Sequence, residues 1–311
     1  MEIAIQILLL VAGFVLLMKG ADWFVDGASG IAQKLGIPEL VVGLTIVAMG
    51  TSLPEAAVSI VAALKGSADI TIGNVVGSNI LNVLIILGIT SLIRVIPVQR
   101  STVRYEIPFT IGVTVLLVFL GMMGHEVSRI EGGILWGFMI LYLIYLWQMA
   151  KKGTKEESGE EKKKPIWLLV VMVLVGGAMI VFGSDVTVDA ATTIAKIFGM
   201  SERFIGLTIV AFGTSLPELV TSVTAAIKGK SDIAMGNIVG SNIFNILFVV
   251  GTAALITPVA YEVTFAVDGF VAIATMVLLF LCVVKDQKLG RWGGVIMLAG
   301  YAGYFVYLIR P

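Results

Sequence analysis

Two glutamates stand where a carboxylate is costly. Glu55 is the one charged residue between Val41 and Leu64, and Glu218 is the one charged residue between Phe204 and Ile227. Hydrocarbon gives a charge no solvation, so an ionisable group inside an apolar stretch of membrane length signals a functional site. Each glutamate closes the same string, AMGTSLPE at 48–55 and AFGTSLPE at 211–218. On a helix Thr51 and Ser52 precede Glu55 by four and three residues, so the three side chains project from one face, and Thr214, Ser215 and Glu218 repeat the pattern. Pro54 and Pro217 remove a backbone donor and free carbonyls near Gly50 and Thr51, or near Gly213 and Thr214. Carboxylate, hydroxyl and freed carbonyl form a hard-oxygen ligand set. Ca2+ takes such ligands in a flexible cage, and Na+, similar in size and hardness, accepts the same atoms; Mg2+ demands a smaller octahedron.

A second repeated string supplies partners, GNVVGSN at 73–79 and GNIVGSN at 236–242. Ser78 and Asn82 are four apart, as are Ser241 and Asn245, so each pair offers a hydroxyl and an amide oxygen on one helix face. Gly73, Gly77, Gly236 and Gly240 are small enough to let helices approach closely. Four helices can thus converge on one cavity. Its two carboxylates would neutralise one Ca2+ or two Na+, which is a physical basis for exchanging them. Asn74 and Asn237 read as capping or interhelical groups beside this cavity. The repeated pairs Asp22 and Asp26, Asp185 and Asp189 read as solvated or helix-pairing residues, and His125 as a surface residue.

The elements that must carry these residues are membrane helices. Of 311 residues 58% are hydrophobic and only 14% charged, with a mean hydropathy of +1.01, far from the soluble norm. About 20 helical residues cross a hydrocarbon core. Ten such spans are expected, near 3–20, 40–64, 70–93, 105–124, 130–150, 166–184, 203–227, 233–257, 263–284 and 292–309. Gly36 and Gly199, Glu55 and Glu218, Asn82 and Asn245 all stand 163 residues apart, so one five-span unit occurs twice. An odd number of spans turns the second copy over, which predicts an all-α membrane protein of ten transmembrane helices in two inverted five-helix repeats. Residues 1–150 form the first repeat and 166–311 the second. The charged stretch 151–165 between them suits a solvated linker and is too short to fold alone.

Charge placement predicts orientation and excludes other classes. With the N-terminus outside, the outer face keeps only Lys65, Arg129, Lys196, Arg203 and Arg310 of the 21 lysines and arginines. This positive-inside bias places both termini outside the cell membrane, with Trp147, Trp167 and Trp292 at the interfaces. Ile3 to Met18 reads as a retained first helix rather than a signal peptide. The zero net charge suggests no nucleic-acid partner. A channel would normally ring its pore with subunits. An enzyme would need a nucleophile and base or a metal triad, for which His125 and Cys282 are unsuitably placed. A lipid-embedded, functionally monomeric, non-enzymatic protein without a cofactor is the expectation.

At these motifs the chain resembles the prokaryotic sodium/calcium exchangers of the cation/calcium exchanger superfamily, over essentially its whole length. The resemblance implies an antiporter that exchanges Na+ for Ca2+ by alternating access. It implies ion ligands at Ala48 and Ala211 by backbone carbonyl, and at Thr51, Ser52, Glu55, Ser78, Asn82, Thr214, Ser215, Glu218, Ser241 and Asn245 by side chain. It also implies that the first helices of the repeats, around 3–30 and 166–195, slide as a gate. Some relatives carry Asp where this chain has Asn245, and proton-coupled relatives usually place an acid soon after the GN pair, which is missing here. The alternative is a proton-coupled or potassium-assisted antiporter, since a carboxyl in apolar surroundings can itself carry a proton.

Overall fold

The computed structural model describes residues 2–66, 68, 70–152, 164–199 and 211–308. Most of the expected linker, the first part of the expected span 203–227 with Arg203, and Arg310 lie outside the described residues. Among the described residues eleven helices of twelve residues or more follow in chain order: α1 (Glu2–Leu35), α2 (Glu39–Thr51), α3 (Leu53–Leu64), α4 (Ile70–Ile93), α5 (Thr102–Gly124), α6 (Arg129–Lys151), α7 (Ile166–Ile197), α8 (Leu216–Ile227), α9 (Ser231–Ile256), α10 (Val263–Val283) and α11 (Arg291–Leu308). Among the described residues seven of them, α1, α4, α5, α6, α7, α9 and α10, are long and apolar enough to cross a membrane. The bent pair α2 and α3 brings the number to eight if it is counted as one span. The twelve-residue α8 covers the second half of the expected seventh span, and α11 lies at the residues of the expected tenth.

Local chemistry explains where these helices break. Ser52 has φ −84° and ψ 10°, outside the helical basin, and α3 restarts at once with Pro54 in its first turn, where a missing N–H costs nothing. The result is a 51° bend between α2 and α3. Ser215, at φ −92° and ψ 5°, makes the same break before α8 and Pro217. Helix α6 starts on a capping box, in which Ser128 and Glu131 satisfy each other's backbone donors. Helix α5 ends on His125, whose φ of 57° turns the chain back.

Two short antiparallel pairings tie the halves together. Strand β1 (Ile96–Pro97) pairs with β4 (Lys288–Leu289), and β2 (Glu126–Val127) with β3 (Val259–Ala260). They lie at opposite ends of the bundle. At the first end the Arg94 guanidinium donates to the carbonyl of Ile227 at 2.8 Å. At the second, Thr257 donates to the carbonyl of Ala63 at 3.0 Å and Arg129 to that of Ile256 at 3.1 Å. Helix α3 therefore ends where α9 ends, whereas α8, the sequence equivalent of α3, ends where α4 ends.

Of those seven helices α4 and α9 are the most buried and α1 the most exposed. Outer faces carry large exposed apolar side chains such as Leu8, Phe119, Leu141 and Phe182, suited to lipid. Helix α1 packs along α7 with backbones nearly touching: a Cβ at Gly20 would lie 2.9 Å from the Gly176 carbonyl oxygen, and one at Gly176 2.8 Å from that of Gly20. Both helices run beyond the expected limits at 20 and 184. For α1 the cause is amphipathicity, because Ala21, Phe24, Val25, Ala28 and Ala32 remain buried while Asp22 and Asp26 reach a lysine on the other side.

Candidate ion-binding site

The broken helices present their polar residues to each other across the two halves. Glu55 begins α3 and Glu218 begins α8, and both are fully buried. They lie close enough for their charges to repel, and the hydroxyls of Ser78 and Ser215 sit beside Glu55. Ser52 donates to Glu218 Oε1 at 2.9 Å, while Ser241 Oγ lies 3.4 Å from the Ala48 carbonyl oxygen. Thr51 donates to Asn237 Oδ1 at 2.9 Å. Except for Ser78 beside Glu55, each of these contacts joins one half of the chain to the other.

The neighbouring spans α4 and α9 bring in the amides. A π-helical turn opens at Asn82 in α4 and at Asn245 in α9, a widening common at functional sites. Asn82 Nδ2 donates to Asn242 Oδ1 at 3.0 Å, and Asn245 Nδ2 to Asn79 Oδ1 at 3.1 Å. Close helix packing permits the approach, since a Cβ at Gly240 would fall 2.8 Å from that of Ala48 and one at Gly236 3.0 Å from Gly43 Cα.

After these bonds are drawn, a set of buried oxygens has no hydrogen-bond partner: both of Glu55, Oε2 of Glu218, Oδ1 of Asn82, Oδ1 of Asn245 and Oγ of Ser215. Isolated buried charge costs several kcal/mol and calls for an opposite charge. Five of these six atoms are carboxylate or amide acceptors, the ligand type of Ca2+. No group of three or more His, Cys, Asp or Glu side chains arises among the described residues, so the negative charge here is that of two glutamates.

Most of the expected residues come together. Thr51, Ser52, Glu55, Ser78, Asn82, Ser215, Glu218, Ser241 and Asn245 are all buried, as is Ala48. Thr214 is only partly buried, and no hydrogen bond among the described residues ties it to the others. Ala211 opens the short helical turn Ala211–Gly213. The freed Gly213 carbonyl accepts a bond from Ser184 of α7 at 2.9 Å. Asn74 and Asn237 do bridge helices, donating to the carbonyls of Glu55 and Glu218 at 3.1 and 3.4 Å and to the hydroxyls of Ser59 and Ser222 at 2.9 Å each. Sequence reasoning missed Ser59, Ser222, Asn79 and Asn242, although each pair stands at the 163-residue offset. It also passed over Glu106, a buried carboxyl of α5 that accepts a bond from Tyr145.

Comparison with known proteins fits this geometry. The family model described as sodium/calcium exchanger protein matches residues 5–148 and 168–310. The putative antiporter CaxA of Alkalimonas amylolytica is 41% identical, covering 94% of this chain and 95% of its own. The sodium/calcium exchanger MaX1 of Methanosarcina acetivorans is 32% identical, covering 98% and 99%. The solved structure of the sodium-calcium exchanger NCX_Mj soaked with 10 mM Na+ and zero Ca2+ superposes with a TM-score of 0.85 at 32% identity, over 99% of this chain and 100% of that one. With a family match over nearly the whole sequence and relatives of this extent, this multi-pass membrane chain belongs to the sodium/calcium exchanger protein family.

Proposed function

We propose that this chain is a secondary antiporter that exchanges Na+ for Ca2+ across the cell membrane by alternating access. The observation that carries the reading is the set of buried carboxylate and amide oxygens of Glu55, Glu218, Asn82 and Asn245 left without protein partners. These four are the central ligands. The hydroxyls of Thr51, Ser52, Ser78, Thr214, Ser215 and Ser241 and the carbonyls of Ala48 and Ala211 complete the cage around the transported ions. Two glutamates match the charge of one Ca2+ or two Na+, so either load neutralises the cavity while the unloaded state leaves it charged.

The architecture proposed for this cycle has ten spans in two inverted five-helix repeats, 1–150 and 166–311, joined by the linker 151–165. The opposite ends reached by α3 and α8 support it, as do two family matches that begin 163 residues apart. Both termini lie outside, one chain suffices for transport, and no cofactor beyond the transported ions takes part. The test is Ca2+ uptake by liposomes containing the purified chain at clamped potential. Uptake is expected with internal Na+ and not with internal K+ or a proton gradient alone. Uptake driven equally by protons would overturn Na+ coupling.

A further inference from the structure

Asn79 and Asn242 have no place among the proposed ligands, yet every polar atom of their side chains is engaged. Where α4 crosses α9, Asn79 Nδ2 donates to the backbone oxygen of Asn242 at 3.1 Å, and Asn242 Nδ2 to that of Asn79 at 3.2 Å. Their Oδ1 atoms then accept from Asn245 and Asn82, at 3.1 and 3.0 Å. All four side chains are buried, exposed by 4% at most. A carboxamide has one donor end and one acceptor end. Because the donor ends of Asn79 and Asn242 must meet carbonyls, their acceptor ends are fixed as well. Those acceptors hold the NH2 ends of Asn245 and Asn82, which leaves the Oδ1 atoms of Asn245 and Asn82 buried and free of protein partners.

Resting on the reading of this cavity as the Na+ and Ca2+ site, we propose that Asn79 and Asn242 are positioning residues. Each sets the flip state of the ligand amide on the opposite half, so that an oxygen and not an NH2 group faces the cation. A flipped Asn245 would present two N–H dipoles to a positive ion. Neutral amides can serve this site only if something orients them; a carboxylate would need no such device, since both its ends are oxygen.

That difference supplies the test. Asn79→Ala is made in two backgrounds, the natural Asn245 and Asn245→Asp, and binding of Ca2+ alone and of Na+ alone is read from the thermal shift of the purified full chain. With Asn245, loss of Asn79 is expected to weaken Ca2+ binding about tenfold, the worth of roughly one net hydrogen bond. With Asn245→Asp the same change is expected to cost less than about twofold, because a flipped carboxylate is still an acceptor. Asn242→Ala with Asn82→Asp is the mirror experiment and serves if Asn79→Ala does not fold. Equal losses in both backgrounds, or no loss with Asn245, would overturn the positioning role while leaving the site intact. A natural chain that neither ion stabilises would overturn the cavity reading itself, and the positioning role with it.

Discussion

Glu55 and Glu218 hold equivalent positions in unequal surroundings. Ser52 donates to Glu218, whereas both carboxylate oxygens of Glu55 are without a hydrogen-bond partner. Replacing either by Gln keeps the shape and removes one of the two charges that a divalent ion needs. Ca2+ uptake is expected to fall about a hundredfold or more in Glu55→Gln and in Glu218→Gln, since losing one partner of a buried charge pair costs about 3–5 kcal/mol. Ion-free thermal stability should behave differently. It is expected to rise in both, and more in Glu55→Gln, because that substitution removes the carboxylate whose two oxygens both lack a hydrogen-bond partner; scanning fluorimetry in ion-free buffer checks the order. Full transport by either variant would remove that glutamate from the site. Both residues were legible from sequence because charge in an apolar run is rare. Asn79 was not, although it ends a repeated string, because an asparagine on a membrane helix has many ordinary uses. Its value lies in which end of the amide points where.

At the scale of elements, the long helix α1 is tied to the end of α8 by ion pairs that a sliding gate would have to break. Lys228 lies 2.7 Å from Asp26 and 3.3 Å from Asp22. Counting 163 residues back, the equivalent lysine is Lys65, at the other end of the bundle, and its expected partners are Asp185 and Asp189. Among the described residues Lys65 forms no ion pair with them. One latch is closed and its counterpart open, which suits a carrier sealed at the Lys228 end. All three latch groups are partly exposed, so Lys228→Gln is expected to change stability by less than about 1 kcal/mol. Its effect should appear as sidedness: the apparent Ca2+ affinity measured from the Lys65 end should weaken, and Lys65→Gln should shift it the opposite way. Right-side-out and inside-out vesicles give both values, and shifts of the same sign would discard the latch. Hydropathy alone hid this contact. The lysine and aspartates from Lys19 to Asp26 lower the apolar average just where α1 continues as a helix with one buried face.

For the whole molecule, the constant offset between copies made two halves legible, while the strands that clamp them were not. β1 with β4 and β2 with β3 are two-residue pairings between distant segments, too short to carry the alternating pattern by which strands are read. On the proposed cycle these clamps hold the central helices as a frame while α1 and α7 move together, their backbones in contact at Gly20 and Gly176. What the frame encloses then decides which movements are allowed. Without an ion the passage between states would carry two uncompensated carboxylates through a closed, water-excluded cavity, at a cost of several kcal/mol. With one Ca2+ or two Na+ the cavity is neutral and the passage open. Exchange without leak follows from that difference alone and needs no separate lock. In liposomes loaded with labelled Ca2+, efflux into medium free of Na+ and Ca2+ is expected to run about a hundredfold slower than efflux into medium containing either ion, since a difference of about 3 kcal/mol separates the two barriers. Comparable rates in the three media would mean that the unloaded carrier crosses freely, and that the paired glutamates do not enforce coupling.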